Sequence, residues 1–332
     1  MGDIRLTLAI GDYEHVRDLA TGRVKPEGIE LTILLCNIEE IVHRFLDRLE
    51  WEVSEMSMGN LASYLSRDDR RMVALPIFPS RVFRQSAFYV RTDGPVRRPE
   101  DLAGRRIGLP QWSQTATVYA RGWLNHQIGI PLNRIEWVQA GVNAPGRVET
   151  AVLRLPEGLS LRSAPDRTLP DLLLAGEIDA IISARPPDAF LAGDPRIGRL
   201  FPNYREVEEA YFRATGIFPI MHGVVLRRDV FEAKPWVARN LCLAFEEAKR
   251  RSFARILDKA VSNIPLPWLP EYAESVGRDL VFGGGDLWPY GVEANQKTLD
   301  AFLQYCFEQG VAHRRITTDE LFPEEVRAAI VI

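Results

Sequence analysis

The sequence predicts an α/β fold organised in two units, and three observations carry that expectation. Strand-like and helix-like patterns alternate through the first hundred residues instead of segregating into separate runs. The turn Asp93-Gly94-Pro95 ends one series sharply, and a second series opens at Arg106. The chain has 332 residues, 46% of them hydrophobic, which is length and apolar mass enough for two cores.

Each element follows from local pattern. The apolar run 6–10, closed by Gly11-Asp12, predicts the first strand. A helix is expected over 13–20, followed by turns at Gly22 and Pro26-Glu27-Gly28. Ile29–Leu35 reads as the second strand. Over 38–49, Ile38, Ile41, Val42, Phe45, Leu46 and Leu49 share one face at helical spacing. Short strands are expected at 53–56, 72–78 and Phe88–Arg91. In the second unit, 106–110 reads as strand and turn. Ala116, Tyr119, Ala120 and Trp123 then repeat at helical spacing, ending near Gly129, with Ser113 or Thr115 as N-cap. The stretch 142–170, rich in Pro, Gly and Arg, is expected to be irregular. Residues 172–182 read as a short helix, a stop at Gly176 and a buried strand. Long helices are expected over 236–257 and 293–309.

Composition excludes several functions. Forty-one basic against 45 acidic residues leave a formal charge of −4, with no basic run to bind nucleic acid. Cys36, Cys242 and Cys306 are scattered, odd in number and without a CxxC pair, as for reduced thiols in a cytosolic protein. Met1-Gly2-Asp3-Ile4-Arg5 runs straight into the first strand without a signal-peptide pattern, and no apolar stretch approaches membrane-spanning length. A cytoplasmic location with no membrane partner is therefore expected. No HExxH, Cys/His cluster or Asp/Glu/His set at metal-ligand spacing is present, so no metal or other cofactor is expected, and no GxSxG elbow marks a hydrolase. Gly283-Gly284-Gly285 signals a loop, not a phosphate cradle, since no Gly-Lys-Ser/Thr follows. Seven Trp are compatible with a homo-oligomer without requiring one.

A set of longer motifs spans the chain: Gly11-Asp12-Tyr13, the run from Arg23 to Ile29, Glu55-Met56-Ser57, Phe78-Pro79-Ser80-Arg81 with Phe83-Arg84, the run from Ile181 to Pro187, the run from Gly216 to His222, and Trp288-Pro289-Tyr290-Gly291. In this order they resemble the 4,5-dihydroxyphthalate decarboxylase family. The resemblance implies a two-lobe fold like that of the type II periplasmic binding proteins, with a central ligand cleft. It implies a discontinuous first lobe, 1–91 and 222–332, around a second lobe, 92–221, with crossings at Phe88–Arg91 and about 220–224. It also implies a carboxy-lyase acting on a small hydroxylated aromatic dicarboxylate. The chain departs from the family pattern at Gln85, where His is frequent, and at Gln111-Trp112, where Glu-Tyr is usual. Each departure removes a titratable group and bears on substrate choice or proton path.

Such a reaction needs carboxylate clamps, a proton donor near the ring and a partner for the phenol. Arg81 and Arg84, beside Phe78 and Phe83, are the clamp candidates because a guanidinium forks onto a carboxylate; ion-paired arginines near a hinge are the rival. His222 at the second crossing is the candidate proton donor, against a histidine that merely orders the crossover. Asp12, after the first strand, either accepts the phenolic proton, orients His222 or caps the next helix. Ser57 is a hydrogen-bonding candidate or an ordinary turn residue. Gln111, Ser113 and Thr115 lie near a helix N-terminus, where free N–H groups attract anions, though capping alone is a rival. Arg185 either reaches the cleft or satisfies nearby carbonyls. His15, His43, His126 and His313 are expected to be structural or solvated. Two other readings remain open: a solute-binding protein that holds a small anion unchanged, and a different aromatic-acid enzyme on the same scaffold.

Overall fold

A computed structural model describes residues 2–277 and 285–327. Gly283 and Gly284 of the expected glycine loop lie outside the described residues. Eleven strands among them form two sheets: β1 (Ile4–Ile10), β2 (Ile29–Leu35), β3 (Val53–Ser57), β4 (Met72–Arg81), β5 (Phe88–Arg91), β6 (Arg106–Leu109), β7 (Glu136–Gly141), β8 (Ser160–Thr168), β9 (Ala180–Ile182), β10 (Ile197–Arg199) and β11 (Ile220–Arg227). The first sheet has the order β2-β1-β3-β11-β4 and the second β10-β5-β9-β6-β7-β8. β1 runs parallel to β2 and β3, whereas β11 is antiparallel to both β3 and β4. The late strand β11 thus inserts between two early ones, and the first sheet is discontinuous in sequence.

The crossings differ from expectation. β5 pairs with β9 and β10, so 88–91 belongs wholly to the second sheet. The chain therefore leaves the first sheet over 82–87, and the first segment of that unit stops short of 91. On the return, β11 already pairs with Arg81 at Ile220, inside the segment 92–221 expected for the second lobe. The helix Gln296–Glu308 packs on the helix Thr115–Trp123: Phe302 stacks on Tyr119 at 4.8 Å, and Gly122 lies so close to Tyr305 that a Cβ there would meet the ring at 2.3 Å.

One apolar cluster runs through both units, joining Leu8, Val53 and Ile77 of the first sheet to Ile107, Leu109 and Ile182 of the second. Ile181 faces the other way, into a smaller cluster with Val138, Leu169 and Leu172. That alternation along β9 is the period-two signature of a strand covered on both faces.

Local pattern fails where burial is slight. Residues 160–168 form the edge strand β8, which had been expected to be irregular. Most of its side chains are at least partly exposed and it contains Pro165, so it lacks an alternating hydrophobic signal. The helix Thr115–Trp123 takes Gln114 as N-cap without a side-chain cap bond, so neither Ser113 nor Thr115 caps it. No described helix is long and apolar enough to cross a membrane.

Candidate active site

The polar centre of the first sheet is Glu55 on β3. β11 pairs antiparallel to β3 with His222 opposite Ser57 and Val224 opposite Glu55, so Glu55, Ser57 and His222 share one face. The Glu55 side chain is fully buried, and His222 Nδ1 lies 2.6 Å from its Oε1. Tyr13 donates its hydroxyl to Oε1 at 2.6 Å, and the Gly11 N–H donates to Oε2 at 2.8 Å. Burial alone pushes the Glu55 carboxyl up. The hydrogen bond and charge of His222, the Tyr13 hydroxyl and the Gly11 N–H together outweigh it and hold the group below the usual carboxylate range. Burial first, then the Glu55 charge, pushes the Tyr13 phenol up, so it stays a neutral donor. Gly11 has a steric reason: a Cβ there would meet the Tyr13 ring at 2.8 Å and Glu55 Oε2 at 3.3 Å.

Of the roles open to Asp12, contact with His222 is made by Glu55 instead. Asp12 is exposed, and the short 3₁₀ turn that follows has Tyr13 as its N-cap, so Asp12 does not cap it. With Nδ1 engaged, Nε2 is the His222 nitrogen left to face a ligand. His15, two residues after Tyr13, lies among the Tyr13 and Trp288 rings at 5.4 and 5.6 Å. Burial, then the Lys249 charge, lowers it to about 4, so it is a neutral, structural histidine.

The two arginines of β4 and its exit have different fates. Arg81 is buried; it donates to the Phe218 carbonyl at 3.1 Å, to the Pro289 carbonyl at 2.7 Å and to Asn295 Oδ1. Its guanidinium also lies over Phe78 and Phe218. As these bonds stand, Arg81 ties the crossover to the 289–295 segment instead of presenting its fork to a ligand. Arg84 donates Nε to Met221 Sδ at 3.1 Å, and its terminal nitrogens find no acceptor among the described residues. Burial lowers both arginines to about 10, still cationic near neutrality.

Across the cleft, Ser57 Oγ lies 3.0 Å from Thr115 Oγ1, which also accepts the Gly59 N–H at 3.0 Å. The backbones come so close here that a Cβ on Gly59 would meet the Ser113 carbonyl oxygen at 2.2 Å. The N–H groups of Trp112 and Ser113, which precede the helix, bind the carboxylate of Glu149, which also takes the Ser113 hydroxyl. Gln111 is occupied too: its amide donates to the Val148 carbonyl and accepts from Arg147 at 2.6 Å. Arg185 is exposed and lies 3.8 Å from Glu39.

Two cavities bear on the question. One, near Tyr64, holds about 20 Å³, room for a water and no more. The other, about 360 Å³, is lined by Glu39 from the first unit and by Gln114, Arg147, Ser183 and Arg185 from the second. Neither His222 nor Glu55 lines this cavity; the link to them runs through Gln114, whose chain neighbour Thr115 touches Ser57. Sequence reasoning missed Glu55 as a functional group, although it lies in a quoted motif, and missed Arg147 and Glu39 entirely.

No protein-family profile matches the chain. Among curated proteins, 4,5-dihydroxyphthalate decarboxylase of Comamonas testosteroni is 34% identical over 323 residues, 97% of each chain. The protein of the same description from Pseudomonas putida is 32% identical over 215 residues, 64% of this chain and 83% of its own. Among solved structures, the periplasmic sulfonate-binding protein SsuA from Methylobacillus flagellatus matches with a TM-score of 0.57 at 13% identity, covering 99% of this chain and 94% of its own. The desulfurization enzyme DszB matches at 0.53 and 17% identity, covering 98% of each chain. The alkanesulfonate-binding SsuA of Xanthomonas axonopodis pv. citri matches at 0.53 and 12%, covering 97% of this chain and 99% of its own. These structures share the two-lobe binding-protein fold and, at such identity, the fold alone. By its full-length relative, the chain belongs to the 4,5-dihydroxyphthalate decarboxylase family.

Proposed function

We propose that the protein catalyses the non-oxidative decarboxylation of 4,5-dihydroxyphthalate to 3,4-dihydroxybenzoate and carbon dioxide. The observation that carries this reading is the His222–Glu55 pair on one face of the first sheet, in a chain of this family. Direct loss of carbon dioxide would leave an aryl carbanion, so protonation of the ring carbon must come first. The hydroxyl para to that carbon supplies electron density, and the proton adds to the carbon that bears the carboxylate. The carbon–carbon bond then breaks, its electron pair restores the aromatic ring, and one proton is consumed per carbon dioxide released. The reaction is redox-neutral.

His222 Nε2 is the proton donor in this scheme, and Glu55 is a positioning residue that holds the ring through Nδ1. Tyr13 and the Gly11 N–H fix Glu55 in turn. Ser57 and Thr115 border the ring, and Arg185 lines the pocket where a carboxylate would lie. Arg84 keeps an unspent fork and stays a substrate-binding candidate; Arg81, Gln111 and Ser113 act by supporting the walls. We take 82–87 and the entry to β11 as the crossings between lobes. A cytoplasmic location fits the three free cysteines.

The test is to incubate the purified, metal-stripped protein with 4,5-dihydroxyphthalate and follow both products by chromatography, with His222→Ala alongside. Turnover by the wild type that collapses in the variant supports the reading. Turnover in both removes His222 as donor, and binding without turnover in the wild type overturns the decarboxylase assignment.

A further inference from the structure

The 360 Å³ pocket carries two arginines and one carboxylate, and the carboxylate is held loosely. Glu39 lies 3.4 Å from Arg147 Nη1 and 3.8 Å from Arg185 Nη2, well beyond the ~2.8 Å of a good charge-assisted hydrogen bond. Arg147 is firmly aimed by its 2.6 Å bond to Gln111, and its Nε is buried without a partner. The Arg185 guanidinium has one other partner among the described residues, Asn37 Oδ1 at 3.4 Å. Glu39 itself lies in the first turn of the helix Ile38–Arg48, whose N-terminus favours its charge even when it leaves the arginines. The site is thus a two-guanidinium carboxylate receptor from one unit, provisionally filled by a side chain from the other.

We propose that Arg147 and Arg185 bind the carboxylate that survives the reaction, and that Glu39 is the resident anion which the substrate displaces and which returns to expel the product. This rests on the decarboxylase reading for the identity of the substrate. Chemistry selects the surviving group. A carboxylate clamped between two guanidiniums is stabilised as an anion, which opposes its loss as neutral carbon dioxide. The leaving carboxylate must therefore sit elsewhere, and the product, still carrying the clamped group, is spared a second decarboxylation. Product release then requires a competing anion at the same two arginines, and Glu39 is placed to supply it.

The experiment measures binding of phthalate, benzoate and 3,4-dihydroxybenzoate to the full chain by calorimetry, with turnover of 4,5-dihydroxyphthalate recorded separately. Glu39→Gln is expected to tighten all three acids about tenfold and to steepen their salt dependence, because the receptor then carries two unopposed charges. Arg147→Lys and Arg185→Gln are each expected to weaken them by a similar factor. In turnover, Glu39→Gln lowers the inhibition constant of 3,4-dihydroxybenzoate. Unchanged or weaker binding in Glu39→Gln overturns the proposal even if the wild type is an active decarboxylase. Tighter binding in a wild-type background that never turns over 4,5-dihydroxyphthalate leaves the receptor standing and removes the decarboxylase reading instead.

Discussion

His222 Nδ1 and Glu55 Oε1 lie 2.6 Å apart, although 167 residues separate them. The contact exists because β11 returns to pair with β3, which puts both side chains on one face of the first sheet. It gives the imidazole a fixed tautomer and a fixed direction, the arrangement in which a histidine works as an oriented acid.

Glu55→Gln keeps the shape of the carboxylate and removes its charge. We expect kcat to fall by about 10²-fold or more, with KM for the diacid changed by less than about threefold. Steady-state kinetics beside a thermal melt checks this. A variant that lost activity only in proportion to its folded fraction would reduce Glu55 to a structural role.

Arg81→Met should act on stability and not on recognition. Three acceptors, the carbonyls of Phe218 and Pro289 and the amide of Asn295, each lose a donor, and among the described residues only the Pro289 carbonyl keeps another, the Asn295 amide. A loss of about 2–4 kcal/mol in urea unfolding is expected. The affinity ratio between diacids and neutral catechols should stay as in the wild type; a selective loss of diacid binding would restore Arg81 as a clamp.

His15 gives the protein a pH dependence of known sign. Its folded value of about 4 lies below the ordinary 6.5, so the unfolded chain takes up a proton that the folded chain refuses as pH falls between them. Stability from this group is fully present above pH 6.5 and lost toward pH 4. Glu55, held below its usual range, has the same sign but a lower window: its share is present above the usual carboxylate range and is lost only in stronger acid. Between pH 7.5 and 5, His15→Gln should therefore abolish a loss of about 2 kcal/mol. Urea titrations of both proteins at the two pH values would measure it, and parallel losses would count against the buried, neutral histidine.

Gly59→Ala should part the two sides of the cleft. The new Cβ meets the Ser113 carbonyl at 2.2 Å, a backbone atom that cannot swing aside. The Ser57–Thr115 contact is expected to break, with kcat/KM falling about tenfold and stability by about 1–3 kcal/mol. Kinetics and a thermal melt on the same preparation would check this, and undiminished kcat/KM would show that the approach does not matter to the site.

Much of the secondary structure was legible in the residues themselves. β2 and β5 fall where the apolar runs predict, and the helix Ile38–Arg48 lies under its striped face, because side-chain periodicity is a local property. The quoted motifs were equally readable, and Gly11-Asp12-Tyr13 and Glu55-Met56-Ser57 turn out to be the two arms of one polar centre. β8 was not legible, since an exposed edge strand carries no burial pattern.

The site's partnerships were settled only by tertiary structure. The sequence alone determined that the chain alternates strand and helix and resembles one family from end to end. For Asp12, at a strand end, it left three roles open: capping the next helix, accepting the phenolic proton or orienting His222. Glu55 took the last role because strand pairing, not sequence distance, decides which carboxylate reaches an imidazole. Arg81 and Arg84 look alike in sequence three positions apart, yet one is buried among carbonyls and the other keeps its fork. Arg147 and Glu39 had no motif at all: they meet because segments from different units border the same pocket, and an anion receptor is a property of that convergence in space.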